Sequence, residues 1–200
     1  MLYRECMFDR TRRPLLVRVV VRSAMVCMMA CSLVACSPDS EPIPTVSDTA
    51  SSKLVFESDD VAQRIATETY GRYLQKSDEI LRDGGQQPER INSLVVGAAL
   101  SMAMSDFDEF RQANARLVGE TGFSVVRMQG RRSAGNEEIV TLYLCNDVSK
   151  VDIRDAGGVS LVESARVPVS PFVITVVASN EENARVASKD LWEGSDFCSK

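Results

Sequence analysis

Six cysteines and no histidine bound the chemistry open to this 200-residue chain. Without an imidazole, Ser-His-Asp and Cys-His catalysis, histidine general bases and the usual zinc sites are excluded. Thiols, carboxylates and phenols remain. Cys36 follows the small Ala35 at the end of Leu33-Val34-Ala35-Cys36. A small residue before a cut fits a narrow peptidase pocket, and a thiol just after it can be thioether-linked to diacylglycerol. Cys6, Cys27 and Cys31 lie upstream, which leaves Cys145 and Cys198. Two cysteines in an oxidising compartment most simply pair. Their bridge would close a loop of about 54 residues and contribute roughly 2–4 kcal/mol; two unpaired buried thiols are the alternative. Asp147, Asp152, Asp155 and Glu163 lack the spacing of a calcium loop and read as strand-end and turn residues, so neither a metal nor a cofactor is expected. Gly157-Gly158 has no helix after it and reads as a hairpin turn rather than a phosphate loop.

The segment in front of Cys36 explains how such a thiol would be used. Arg4, Arg10, Arg12, Arg13, Arg18 and Arg22 form a positive front, and residues 23–35 carry no charge. Thirteen helical residues span about 20 Å, too short for a hydrocarbon core of about 30 Å. Extending the run back to Leu15 puts Arg18 and Arg22 inside it, at roughly 2.5–3.5 kcal/mol each near a membrane centre. A cleaved signal fits better. In these residues the chain resembles the bacterial lipoprotein class, in which the cysteine is lipidated, with palmitate-class acyl chains, and becomes the first residue. The resemblance implies a signal peptide over 1–35, cleavage between Ala35 and Cys36, and lipid on Cys36. An ordinary secretory signal cut elsewhere is the alternative. Arg12-Arg13-Pro14 leaves a twin-arginine route open beside the general secretory one, and Met7 is an alternative start. Two acyl chains anchor stably without a spanning helix. The expected location is the extracytoplasmic face of the cell membrane.

Composition agrees with that placement. The chain carries 23 basic and 28 acidic residues, and the first 35 hold six and two of these, leaving 17 against 26 and a net charge of −9. Such a surface repels nucleic acid and anionic headgroups. Residues 36–53, rich in Ser, Pro, Asp and Thr, read as a flexible tether after the lipidated cysteine. The span 54–200 is long enough for one domain with a proper core.

The elements that must position the remaining groups follow from hydrophobic period. Val61, Ile65, Thr69, Tyr73, Ile80 and Leu81 predict a helix over 59–82, capped at Ser58-Asp59-Asp60 and ended by Gly84-Gly85. Pro88 is expected to open a second helix over 89–104. Ser105-Asp106 would cap a third over 107–120, making Asp106, Asp108 and Glu109 N-terminal charges. The period then changes. Strands are expected over 123–128, 138–145, 148–154, 167–178 and 184–192, with a turn at 180–183. Pro168 and Pro171 suggest an edge strand or bulge. Arg131-Arg132 reads as a solvated loop pair. Helices followed by an antiparallel meander argue α+β, with the helices packed on a curved sheet.

Cys145-Asn146-Asp147-Val148 and the terminal Leu191-Trp192-Glu193-Gly194-Ser195-Asp196-Phe197-Cys198 resemble a group of uncharacterised lipoproteins from high-GC Gram-positive bacteria. That resemblance implies an NTF2-like, cystatin-like α+β cone over 54–200, with Trp192 on the core beside the bridge and Gly194 allowing the turn to Cys198. Trp192, Glu193 and Asp196 as a partner-binding patch are the alternative. The superfamily includes ketosteroid isomerase, dehydratases and many binding modules, so fold alone does not give activity. An isomerase-like site in such a cone needs a carboxylate base and a phenolic donor. Tyr70, Tyr73 and Tyr143 could donate, and Asp106, Asp108 and Asp147 could act as base; nothing in their spacing brings them together, and Tyr70 and Tyr73 read as core-edge residues. The favoured reading is a non-catalytic, membrane-anchored module that binds a protein or a small apolar ligand. An NTF2-like isomerase or dehydratase is the alternative, and self-association through the sheet face a third.

Overall fold

The computed structural model describes residues 54–198. Ala35, Cys36, the expected signal segment and the expected tether lie outside the described residues. Helix α1, Asp59–Arg82, begins where the Ser58 hydroxyl accepts the Val61 N–H at 3.3 Å. Asp59 and Asp60 fill its first turn, where the helix dipole favours negative charge. Its buried face includes Ala62, Ile65, Ala66, Thr69, Tyr70, Tyr73 and Leu74, at steps of three and four. At the far end the Gly85 N–H reaches back to the Ile80 carbonyl at 2.8 Å. Gly85 has φ +75°, and a Cβ there would stand 2.1 Å from the Phe107 carbonyl oxygen. Glycine therefore lets the end of α1 lie on the backbone of the second helix.

That second helix, α2, is Gly97–Gln112, and it corrects two expected helices at once. Pro88–Ile91 makes only a short 3-10 turn. The chain then runs extended, because Val96 N–H donates to the Val186 carbonyl and Val186 N–H to the Leu94 carbonyl, both at 2.9 Å. Pairing with a strand edge outweighs helix propensity there and covers that edge. Further on, Ala99, Ala103, Phe107 and Phe110 continue one buried stripe straight through Ser105-Asp106, so no new cap is required. Asp106, Asp108 and Glu109 are thus mid-helix residues, not N-terminal charges. Asn114 at φ 48° ends the turn after α2, and Arg116–Val118 forms a short strand, β1, where helix was expected.

The remaining strands are β2 (Gly122–Ala134), β3 (Glu137–Asp147), β4 (Asp152–Arg154), β5 (Val169–Ala178) and β6 (Ala184–Leu191). An open antiparallel sheet runs β2-β3-β5-β6, and β1 pairs with β4 in a separate two-stranded sheet. The expected strand over 148–154 shrinks to β4 and leaves the meander. Register shifts at Val125/Arg127, Met128/Gly130 and Thr175/Val176 mark bulges that bend the sheet. Contrary to the proline reading, β5 is a central strand. The Pro171 carbonyl accepts from Trp192 N–H at 2.9 Å, so the side where proline lacks a donor faces the end of β6, where the ladder is running out. The inner face carries Val140, Leu142, Leu144, Phe172, Ile174 and Val176, all buried against Tyr70, Phe107 and Phe110 of the helices. Each such large side chain contributes roughly 1.5–3 kcal/mol on full burial. The architecture is α+β: two α-helices, among the described residues, packed on one antiparallel sheet.

Candidate functional site

Within this apolar interface lies a group of polar side chains drawn from three elements. Lys189 of β6, Asp106 of α2, and Tyr73 and Asp78 of α1 are all buried. Backbone alternation alone would not aim Lys189 inward. Ala184 and Val186 face the helices, and a strict period of two would continue to Ser188. Instead Val176 pairs with Val186 but Thr175 pairs with Ser188. Ala187 is the extra residue of a bulge, and the shift puts Ser188 outside, bonded to Thr175 at 2.8 Å, and Lys189 inside opposite Ile174. The Lys189 Nζ stands 5.2 Å from the centre of the Phe172 ring.

The electrostatics follow from burial. Desolvation pushes the Lys189 amine down to about 8, against the pull of Asp106 and Asp78. The same effect raises the Asp106 carboxyl, with Glu109 adding to it and Lys189 opposing it. Tyr73 is raised by burial first, then by Asp106 and Asp78. In this pair the loss of water outweighs mutual attraction, so both partners move toward their neutral forms. Asp78 is otherwise engaged: its carboxylate accepts the Thr121 N–H at 2.7 Å and hydroxyl at 2.9 Å, tying α1 to the chain just before β2. Nearby, the Tyr70 hydroxyl donates to Asn146 Oδ1 at 2.9 Å and its ring meets Phe123 edge-on. Tyr70 and Tyr73 are full core residues, not core-edge ones.

The structure therefore brings Tyr73 and Asp106 together and separates the other candidates. Tyr143 faces the opposite side of the sheet. There it packs edge-on against Trp192 and Phe197, with Arg127 over its ring. Asp108 is paired with Arg111. Asp147 is held below the usual carboxylate range by the Ser149 hydroxyl and N–H, and lines a shallow recess of about 150 Å³ with Glu120, Thr121 and Lys150. Asp152 is lowered by the Ser160 hydroxyl and then Arg154. Asp155 accepts the Gly157 and Val159 N–H groups, building the turn at Gly157-Gly158. Glu163 is exposed in the loop before β5.

Cys145 and Cys198 form a disulfide, with Cα atoms 5.6 Å apart. It folds residues 192–198 onto the outer face of β3. Trp192 packs on that face rather than on the inner core, its indole N–H donating to the Ser195 carbonyl at 3.2 Å. A Cβ on Gly194 would come within 2.5 Å of that indole, so glycine permits the tail to pass over the ring. Asp196 accepts the Cys198 N–H.

Sequence reasoning missed two groups. Lys189 was hidden by the bulge. Arg131, read as a solvated loop residue, lies inside β2 because the β2–β3 hairpin turns only at Gly135-Asn136. Its guanidinium bonds Asp59, the Phe56 carbonyl and the fully buried Glu138, whose other oxygen accepts the Val55 and Phe56 N–H groups. This knot fastens the start of the domain to the sheet. Arg132 alone is exposed, as expected.

No protein-family model and no curated protein sequence matches this chain. Among solved structures, the intermembrane space region of chloroplast protein ARC6 is similar at a TM-score of 0.44 and 8% identity, covering 66% of this chain and 96% of that one. A de novo designed β-sheet protein is similar at 0.26 and 15%, covering 66% and 92%. Both likenesses are too distant to carry over a residue or a role.

Proposed function

We propose that this chain is a lipid-anchored module on the extracytoplasmic face of the cell membrane, whose NTF2-like domain binds a protein partner or a small apolar ligand. The observation that carries this reading is the Cys145–Cys198 bridge. A disulfide persists in an oxidising compartment and not in a reducing cytosol, which agrees with export under the signal at 1–35. Among the described residues no helix is long and apolar enough to cross a membrane; in this reading the lipid on Cys36 is the attachment. The net −9 surface keeps nucleic acid out of the set of partners. Feeding cells an alkyne-tagged palmitate tests the anchor. The wild-type chain takes up the label and partitions with membranes, and Cys36→Ala does neither. A Cys36→Ala protein that remained labelled and membrane-bound would end this reading.

The burial of Asp106 beside Tyr73 favours a second reading, an NTF2-like enzyme of the isomerase or dehydratase type. A carboxyl raised by desolvation is suited to holding or moving a proton, and Tyr73 would stabilise a developing oxyanion. Titration of the Asp106 carboxyl carbon by NMR decides it: a midpoint in the ordinary aspartate range removes the basis for this reading.

A further inference from the structure

A recess beside the start of β6 is used by neither reading. Three parts of the chain line it: α1 with Arg72, the extended segment before α2 with Asn92 and Ser93, and the β5–β6 turn running into β6 with Glu182, Asn183 and Arg185. It is open to solvent and holds about 530 Å³, within the range of small-molecule sites. Its walls are braced. The Leu94 carbonyl accepts the Val186 N–H at 2.9 Å, which ties the segment before α2 to β6. The Asn180 side chain accepts the Glu182 and Asn183 N–H groups at 3.0 and 2.9 Å and holds the turn. A site built this way loses little freedom when a ligand enters.

Its charge runs against that of the surface around it. Beyond residue 35 the chain carries a net −9, yet two guanidiniums line this recess beside one carboxylate, Glu182. Neither guanidinium is well matched. Arg72 bonds the neutral Thr69 hydroxyl at 3.2 Å and, among the described residues, pairs with no carboxylate. Arg185 stands 3.5 Å from Glu137, longer than a well-formed hydrogen bond, and its Nε–H is buried with no acceptor. A buried donor left unpaired is costly and calls for a partner. The side chains of Asn92, Ser93 and Asn183 likewise make no hydrogen bond among the described residues. Guanidinium forks match the oxygens of a carboxylate or phosphate, and amides and hydroxyls match the hydroxyls of a polyol.

We propose that this recess binds a small hydroxylated anion, a sugar acid or a sugar phosphate, with Arg72 and Arg185 on the acidic group and Asn92, Ser93 and Asn183 on the hydroxyls. Both ligands present one oxyanion on a polyol, and that shared chemistry is what the lining recognises. Glu182 leaves the lining with a single net positive charge, which suits a ligand with one acidic group. The Arg185 guanidinium turns from Glu137 to the ligand and so gives its Nε–H an acceptor. The site requires neither the lipid on Cys36 nor a proton on Asp106, so it stands or falls apart from both readings above.

The test uses the full chain in nonionic detergent, labelled with 15N-arginine. Glucuronate, glucose 6-phosphate and glucose are titrated in turn, and the Arg185 Nε–H resonance, assigned by its absence from Arg185→Lys, is followed. At least one of the two anions is expected to move it to saturation, and glucose to leave it in place. The tighter anion tells a carboxylate ligand from a phosphate one. Arg72 is exposed, so its replacement spares the core. Arg72→Gln should weaken the binding at least about tenfold, as the loss of a charge-assisted contact does. Arg64→Gln, which removes an exposed arginine of the same helix paired with Glu68, should leave it unchanged. A resonance that neither anion moves, an equal response to glucose, or wild-type affinity in Arg72→Gln each overturns the proposal.

Discussion

On its inner side the four-stranded sheet sets Val140, Leu142, Leu144, Phe172, Ile174 and Val176 against two helices; on its outer side Tyr143 and Cys145 are covered by residues 192–198 alone. The inner interface has enough apolar contact to hold Lys189, Asp106 and Glu138 out of water and still stay closed. The outer cover is a few residues with three aromatic rings, two of them in the tail, and it is tied down by a covalent bond. Where buried area is plentiful the fold can carry unfavourable charge; where it is scarce a disulfide substitutes for area.

Removing a charge from the inner side should therefore have the largest effect where that charge is fully used. Glu138→Ala removes the buried carboxylate partner of Arg131, which keeps Asp59 and the Phe56 carbonyl, strands two backbone N–H groups, and is expected to lower stability by about 3–5 kcal/mol in a urea melt. A loss below about 1 kcal/mol would mean that the knot at the start of the domain is ornamental. Next comes the outer side. Cys198→Ser should cost about 2–4 kcal/mol and shift the emission of Trp192, the single tryptophan, to the red as the tail leaves Tyr143. An unshifted spectrum would show that the rings hold the tail without the bond.

Lys189→Met tests the claim that the inner side carries charge at a cost. It should raise stability by about 1–3 kcal/mol at neutral pH. The sign with pH is fixed by the depressed amine. Lys189 gives up its proton near 8 when folded and near 10.5 when unfolded, so between those values the unfolded chain binds more protons and stability rises with pH. Below 8 the penalty is fully present. The wild type should gain stability between pH 8 and 10, and Lys189→Met should be flat across that window; parallel curves would rule out a buried amine. Tyr70→Phe, which leaves Asn146 Oδ1 without its donor, is expected to cost about 1 kcal/mol in the same melt. Smallest is Arg127→Ala on the outer side, below about 1 kcal/mol, because Arg127 is exposed and a solvated cation over a ring is weakly held. A larger loss would make the outer cover electrostatic rather than covalent.

Local pattern made much of this legible. The stripe from Val61 to Leu81 and the Ser58 cap define α1, since both are properties of neighbours on one helix turn. Alternation through 138–145 and 167–178 gives the two central strands for the same reason. The exclusion of histidine chemistry needed only the composition, and pairing of Cys145 with Cys198 followed from elimination once export was assumed. What failed were boundaries set by distant partners. The 3-10 turn at Pro88 and the extended Leu94–Val96 exist because β6 needed its edge covered. β1 exists because β4 lies opposite it. Arg131 became an inward strand residue because β2 runs on to Ala134, past the strand end expected at 128.

The candidate site lies wholly in that second category. Composition and order set which residue types were on hand, a carboxylate at 106, phenols at 70 and 73, a lysine at 189, and they set the period of the elements that carry them. They could not determine that Asp106 sits mid-helix rather than at a cap, nor that Lys189 faces inward, because each depends on a register between elements far apart in the chain. One inserted residue, Ala187, reverses the face of every side chain after it in β6. That reversal leaves no mark on composition or spacing and arises only when the strand is laid against its neighbour.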